Sequence, residues 1–208
     1  MEIKDSDADY PVTHRRSLAS TPIFEVIEDR FDLGGEELTR GYVKHFSAVA
    51  VLALNEDDEL LLLRQYRHPV RQLLWELPAG LLDVDAESMQ AAAVRELAEE
   101  ADIRAHTWQT LLDLHVTPGM SDESTRIYLA QGLEDVPEAD RHARQGEEAE
   151  IVPRWVPLDE AVQLVLTGEL RNNLAVTGIL ALQAARSQKQ SLRPWDAPFR
   201  SHPRSIQP

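Results

Sequence analysis

Three glutamates in one short stretch hold most of the chemical information in this chain. They occur in Ala91-Ala92-Ala93-Val94-Arg95-Glu96-Leu97-Ala98-Glu99-Glu100-Ala101. Glu96 lies three and four residues from Glu99 and Glu100, the spacing that places side chains on one face of an α-helix. Like charges so placed repel by about 0.2–0.5 kcal/mol per pair, and within the helix only Arg95 offers an offset. A solvated acidic face is the bland explanation of such a stripe. The segment that leads in, Trp75-Glu76-Leu77-Pro78-Ala79-Gly80, argues for more, because apolar residues and a Pro-Gly turn there surround a lone glutamate. Grouped carboxylates with no cysteine and no clustered histidine are donors for a hard divalent cation such as Mg²⁺, which takes oxygen ligands and keeps positions for water or phosphate. The chemistry that fits is attack of water on phosphorus.

Such a site needs elements to hold it. Hydrophobic periodicity predicts a helix over residues 89–101, with Val94, Leu97, Ala98 and Ala101 facing the core and the glutamates opposite. Strands are expected at 23–31 and 38–43 around the Gly34-Gly35 turn, and at 46–54, a dense apolar run that reads as buried on both faces. A turn at Asn55–Asp58 leads to a returning strand at 59–66, and a short strand follows at 73–77. Further strands are expected at 107–114, 124–133 and 151–156, and helices at 159–166, closed by Gly168, and 172–186. Residues 134–149 read as a charged loop. Four segments result: a flexible arm (1–20), a strand pair (21–44), the main domain (45–186) and a tail (187–208). Strands with interspersed helices imply a mixed α/β sandwich rather than a doubly wound sheet.

The run from Gly80 through Glu87 to Arg95-Glu96-Leu97-Ala98-Glu99-Glu100-Ala101-Asp102-Ile103 resembles the Nudix box, the defining motif of the Nudix hydrolase family. Seven residues separate Glu87 from Arg95, as that motif requires. Two departures stand out. Six residues instead of five lie between Gly80 and Glu87, and Asp102 replaces a glycine whose place at the helix end calls for positive φ, a conformation Asp tolerates. Arg64-Gln65-Tyr66-Arg67, Trp75–Asp83 and Thr117-Pro118-Gly119-Met120-Ser121-Asp122-Glu123 are similar to the ADP-ribose pyrophosphatase subgroup. The resemblance implies a Nudix-type α/β/α sandwich with a mixed sheet plus N-terminal strands. It implies hydrolysis of ADP-ribose to AMP and ribose 5-phosphate, with another nucleotide sugar or nucleoside diphosphate derivative as the alternative substrate. A non-catalytic nucleotide-sensing module is a further alternative.

The resemblance also implies roles. Glu96 and Glu100, with the Ala79 carbonyl and Glu99, would hold Mg²⁺, or Mn²⁺ in its place. Arg95 would orient the glutamates, Gly80 would shape the loop, and Glu87 would cap the loop–helix junction. The base that activates water is expected from Glu147, Glu148 or Glu150, with Glu148 favoured by its distance from Trp155-Val156-Pro157. Arg67, Glu76, Ser121 and Asp122 are the candidate substrate contacts. The residue stacking on adenine is Tyr66, Trp75 or one from a partner chain. Trp108 and Trp155 read as core, and His68 and His115 as structural. A homodimer exchanging the strands of 21–44 is implied in the same way.

Composition narrows the partners. The net charge of −15, from 36 acidic and 21 basic residues, disfavours a nucleic-acid partner, which a basic surface would bind. A small anionic nucleotide remains compatible if a cation stands between it and the acids. No apolar run approaches the roughly 20 residues of a membrane-spanning helix, and the polar start Met1-Glu2-Ile3-Lys4-Asp5 is unlike a secretory signal. The absence of cysteine fits a reducing cytoplasm.

Overall fold

The computed structural model describes residues 2–144, 146–199 and 202, without the side chains of Glu147 and Glu148. The chain divides into two compact units. The first comprises Met1–Ser47, His115–Ser124 and Phe199–Pro208, and the second Ala48–Leu114 and Thr125–Pro198.

The first unit is built on an antiparallel sheet in the order β1 (Val12–Ser20), β2 (Phe24–Asp32), β3 (Glu37–His45). The β2–β3 turn uses Gly34 and Gly35, both at positive φ, and Asp32 accepts the Gly35 N–H. Residues 12–20 were expected to belong to a flexible arm and instead form β1. The sequence shows no alternation there because every residue of β1 is exposed and no face is buried. The strand is held by pairing and by charge: Arg15 stands opposite Asp29 and Arg16 opposite Glu28, and both pairs close at 2.7–2.8 Å. Cross-strand ion pairs become visible only once register is known.

The second unit carries two sheets. One has the order β10 (Val152–Pro157), β5 (Glu59–Arg67), β6 (Gln72–Glu76). The other has the order β11 (Arg193–Pro194), β8 (Ile103–His115), β9 (Ser124–Asp135), β4 (Ala48–Ala53), β7 (Ala79–Leu81). It is mixed, since β4 runs parallel to β9 and antiparallel to β7. The turn Asn55–Asp58 forms as expected, with Asn55 Oδ1 accepting the N–H groups of Asp57 and Glu59.

Alternation along β4 shows how the layers form. Ala50, Leu52 and Leu54 enter one core cluster with Ala161 of α2 (Leu158–Leu166) and Ala175, Ile179 and Leu182 of α3 (Asn173–Ser187). Val49, Val51 and Ala53 enter another with Ala92, Ala93 and Leu97 of α1 (Met89–Ala101). Helices therefore cover both faces, an α/β/α sandwich. All six residues of β4 are buried, which is why that run is apolar without alternation.

Two further differences from the sequence reading concern segments taken as loop and tail. Residues 134–149 contain short 3₁₀ turns at Glu138–Asp140 and Gly146–Glu150. Arg193 and Pro194 of the tail pair with Thr110 and Gln109 of β8. Arg126, only 4% exposed, donates to the Ala197 carbonyl and to both Asp113 oxygens, and Asp113 also accepts from Arg193. The short strand is fixed by a buried charge cluster, which a proline-bearing, mildly basic sequence does not announce.

Candidate active site

The site begins at a three-residue strand that sequence reasoning missed. Pro78 ends β6 and its carbonyl accepts the Val51 N–H. The chain then lies along β4 with Val49 opposite Gly80 and Ala50 opposite Ala79. Too short for any periodic signal, β7 is defined by pairing alone. It sets Ala79 and Gly80 under helix α1.

From Gly80 the chain turns back to that helix. The loop that carries the extra residue closes in a turn at Val84–Glu87, where the Glu87 N–H bonds to the Val84 carbonyl and Ala86 adopts φ 61°. Ser88 caps α1, its hydroxyl accepting the Ala91 N–H. Glu87 was expected to do this. Instead its two oxygens receive Nε and Nη2 of Arg95, both at 3.0 Å. Those bonds hold the Glu87 carboxyl below its ordinary range. At the other end Asp102 takes the left-handed conformation, φ 57° and ψ 34°, with its N–H bonded to the Ala98 and Leu97 carbonyls. The departure from glycine leaves the helix end intact.

The orientation of α1 corrects the sequence reading. Val94, assigned to the core face, is 40% exposed, while Ala92, Ala93, Leu97 and Glu100 are buried. The glutamates lie along the inward flank rather than opposite it. Two buried alanines and a single buried leucine leave room for acid side chains to reach the strand beneath. Glu100, 8% exposed, accepts the Ala79 N–H at 2.9 Å. The Glu96 carboxylate lies so close to Gly80 that a Cβ there would sit 1.9 Å from Glu96 Oε1. Two acids of one helix thus converge on adjacent residues of β7.

Arg95 ties the acids together. Its Nη1 donates to Glu96 at 2.6 Å and to Glu99 at 3.2 Å while the other nitrogens hold Glu87. Its pKa is raised, chiefly by the bond to Glu87 and then against the penalty of burial. Among the described residues, no three Asp, Glu or His side chains stand ready-placed as a cation cage. With Glu96 and Glu99 drawn to Arg95, its guanidinium offsets their charge. The donors available at β7, two carboxylates and a backbone carbonyl beside a glycine that leaves space for them, are the oxygen set a hard divalent cation takes. The residues present fit such an ion.

The NUDIX domain model matches residues 44–175. The chain belongs to the Nudix family. A Nudix relative from Mycobacterium tuberculosis, an ADP-ribose pyrophosphatase, is 40% identical over 199 residues, covering 95% of each chain. An ADP-ribose pyrophosphatase of Bacillus subtilis is 32% identical over 78% of this chain and 88% of its own. A crystal structure of an ADP compounds hydrolase shares the Nudix fold with a TM-score of 0.69 at 22% identity, over 90% of this chain and 100% of that one.

The remaining candidates fall in several places along the chain. Arg67 and Glu76, read as separate substrate contacts, pair with each other across the β5–β6 hairpin, with bonds of 2.7–3.1 Å. Glu76 is buried and Arg67 half-exposed. Ser121 and Asp122 belong to the first unit, where Ser121 bonds to the Thr117 hydroxyl and Asp122 accepts the His45 N–H. Tyr66 is exposed and bonds to His68, and Trp75 lies under the Arg64 guanidinium at 5.6 Å. Trp108 packs edge-on against Tyr128, Trp155 packs against the same cluster, and His115 bonds to Ser124. Glu148 lies in the Gly146–Glu150 turn, with its side chain and that of Glu147 outside the described residues.

Proposed function

We propose that this Nudix protein hydrolyses the diphosphate bond of ADP-ribose to AMP and ribose 5-phosphate. The observation that carries the chemistry is the convergence of Glu96 and Glu100 on Gly80 and Ala79. The substrate assignment is supported by the 40% identity, along nearly the whole of both chains, to an ADP-ribose pyrophosphatase.

Glu96, Glu100 and the Ala79 carbonyl, with Glu99 nearby, would hold a divalent cation, proposed to be Mg²⁺ with Mn²⁺ as a substitute. When bound, such an ion offsets the charge of the diphosphate and lowers the pKa of a coordinated water. The protein's own part is positional. Glu100 accepts the Ala79 N–H, which holds its carboxylate against the β7 backbone. Arg95, clamped on Glu87, keeps Glu96 and Glu99 from splaying into solvent. Glu148 is the proposed base that takes the proton from the attacking water. Roles for Arg67, Glu76, Ser121 and Asp122 toward the substrate belong to the same proposal.

We further propose a cytoplasmic homodimer. A chain without cysteine suits a reducing compartment, and β1 presents Val12 and Leu18 half-exposed on a sheet edge that a second copy could cover. No helix among the described residues is long and apolar enough to cross a membrane.

The test is a panel of ADP-ribose, other nucleotide sugars, dinucleoside polyphosphates and nucleoside triphosphates, each with Mg²⁺, read by chromatography of the products. AMP released from ADP-ribose with the highest kcat/KM is the expected result. A clear preference for a nucleoside triphosphate would overturn the substrate assignment.

A further inference from the structure

Helix α1 has no basic residue in its last turn, although the unpaired carbonyls of a helix C-terminus carry partial negative charge that a cation offsets. Arg144 supplies that cation from far along the chain. Its Nε donates to the Glu99 carbonyl at 2.8 Å, and its Nη2 bonds to Asp102 Oδ2. Both side chains are mostly shielded, with 22% and 23% of their surface exposed, so the pair is less screened than a surface bridge. The acceptor is the residue that departs from the family motif. A glycine at 102 would take φ 57° at no steric cost, but it would leave Arg144 with the Glu99 carbonyl alone.

The contact gains its interest from the segment that Arg144 leads into. The chain enters the turn Gly146–Glu150, which carries all three candidate bases, and then buries Ile151 in the core cluster that contains Leu97. On the other side, Val136 is buried and its N–H bonds to the Asp102 carbonyl. Between those anchors Asp140 pairs with Arg104 and the turn 146–150 packs on β5, while the bonds of Arg144 fasten the segment to the end of the acidic helix. Loop-ordering cost rises with loop length, and a base must be held within about an ångström of its working position.

We infer that Arg144 is a positioning residue: through Asp102 and the Glu99 carbonyl it fastens the segment 146–150, and with it the proposed base, to the C-terminal end of the acidic helix. The inference rests on the functional reading above for its kinetic consequence but not for the attachment itself. Two readouts on the full chain therefore test it. The first is amide hydrogen exchange without substrate. Arg144→Ala speeds exchange across 146–150 and the last turn of α1 by about tenfold or more, while β4 is unchanged. Unchanged exchange in 146–150 overturns the inference whatever the substrate.

The second readout is ADP-ribose hydrolysis with Mg²⁺. Arg144→Ala lowers kcat by about tenfold or more, with KM within about twofold. Arg144→Lys recovers part of the loss. Asp102→Gly lowers kcat without lowering Tm, and the double variant is no slower than Arg144→Ala alone, because both changes break one contact. Additive losses, or a fall in Tm that accounts for the whole loss of activity, overturn it. A wild-type chain inactive on ADP-ribose would refute the substrate reading and leave the exchange result to decide the attachment.

Discussion

Replacing Gly80 with alanine tests the center of the site with one methyl group. The backbone at Gly80 is an ordinary strand, so alanine is not strained there. The added Cβ would lie 1.9 Å from Glu96 Oε1, 2.0 Å from Cδ and 2.5 Å from Cγ. Ordinary contact begins near 3.4 Å, so the carboxylate must retreat by about 1.5 Å. Glu96 ends a flexible side chain and can do so. The loss includes the charge-assisted 2.6 Å bond from Arg95, about 1.5–3 kcal/mol, and the lower entropy of the unfolded alanine variant returns about 0.4–1 kcal/mol. Net stability should therefore fall by about 1–2 kcal/mol, or roughly 2–8 °C in Tm for a chain of this size. A displacement above 1 Å of a proposed metal-holding group costs about 10²-fold in turnover. The assay pairs AMP release from ADP-ribose at saturating Mg²⁺ with a thermal melt and Mn²⁺ titration calorimetry. Turnover within threefold of wild type would refute the argument, as would a collapse of Tm, which would make Gly80 a folding residue.

Three other changes separate the site's charges from its scaffold. Glu100→Gln can keep the bond from the Ala79 N–H while losing the charge, so kcat should fall by about two orders of magnitude or more, with an unchanged melt; near-normal turnover would remove Glu100 from the proposed metal set. Glu87 has a folded pKa below the 4.5 of the free side chain, so its stabilisation is complete above that value and lost as pH falls through the folded pKa. The Tm gap between wild type and Glu87→Gln should be constant at neutral pH and narrow below about pH 4.5; a gap that widens on acidification would contradict the Arg95 clamp. Asp113→Ala leaves the buried Arg126 without its bidentate partner, which should cost about 3–5 kcal/mol in urea unfolding; a cost under about 1 kcal/mol would show that the Ala197 carbonyl suffices.

Much of the site was legible because it lies within one stretch of chain. Arg95, Glu96, Glu99 and Glu100 are neighbours on a helix, and helical geometry obeys local rules. The strands at β4, β5 and β9 were legible for a similar reason: each is long, apolar and bounded by turn residues. The orientation of α1 was not, because an alanine-rich helix has a weak preference for either face and the burial of Glu100 depends on the bond it finds at Ala79. Glu87 was misjudged for the same kind of reason. Its position before the helix suggested a cap, whereas the fold placed Arg95 eight residues on within reach and left the capping to Ser88.

The sequence alone determined the class of chemistry and the family motif and named the residues proposed to hold a cation, since these depend on residue type and on spacing along one helix. Only the tertiary structure decided that β7 would lie beneath that helix, that β1 and β11 would be strands, that Arg67 would pair with Glu76, and that Arg144 would reach the end of α1. Each of these joins residues far apart in the chain or buries no periodic face of its own. Pairings of that kind are set by which backbone edges and charges meet once the core has formed, and no local pattern encodes them.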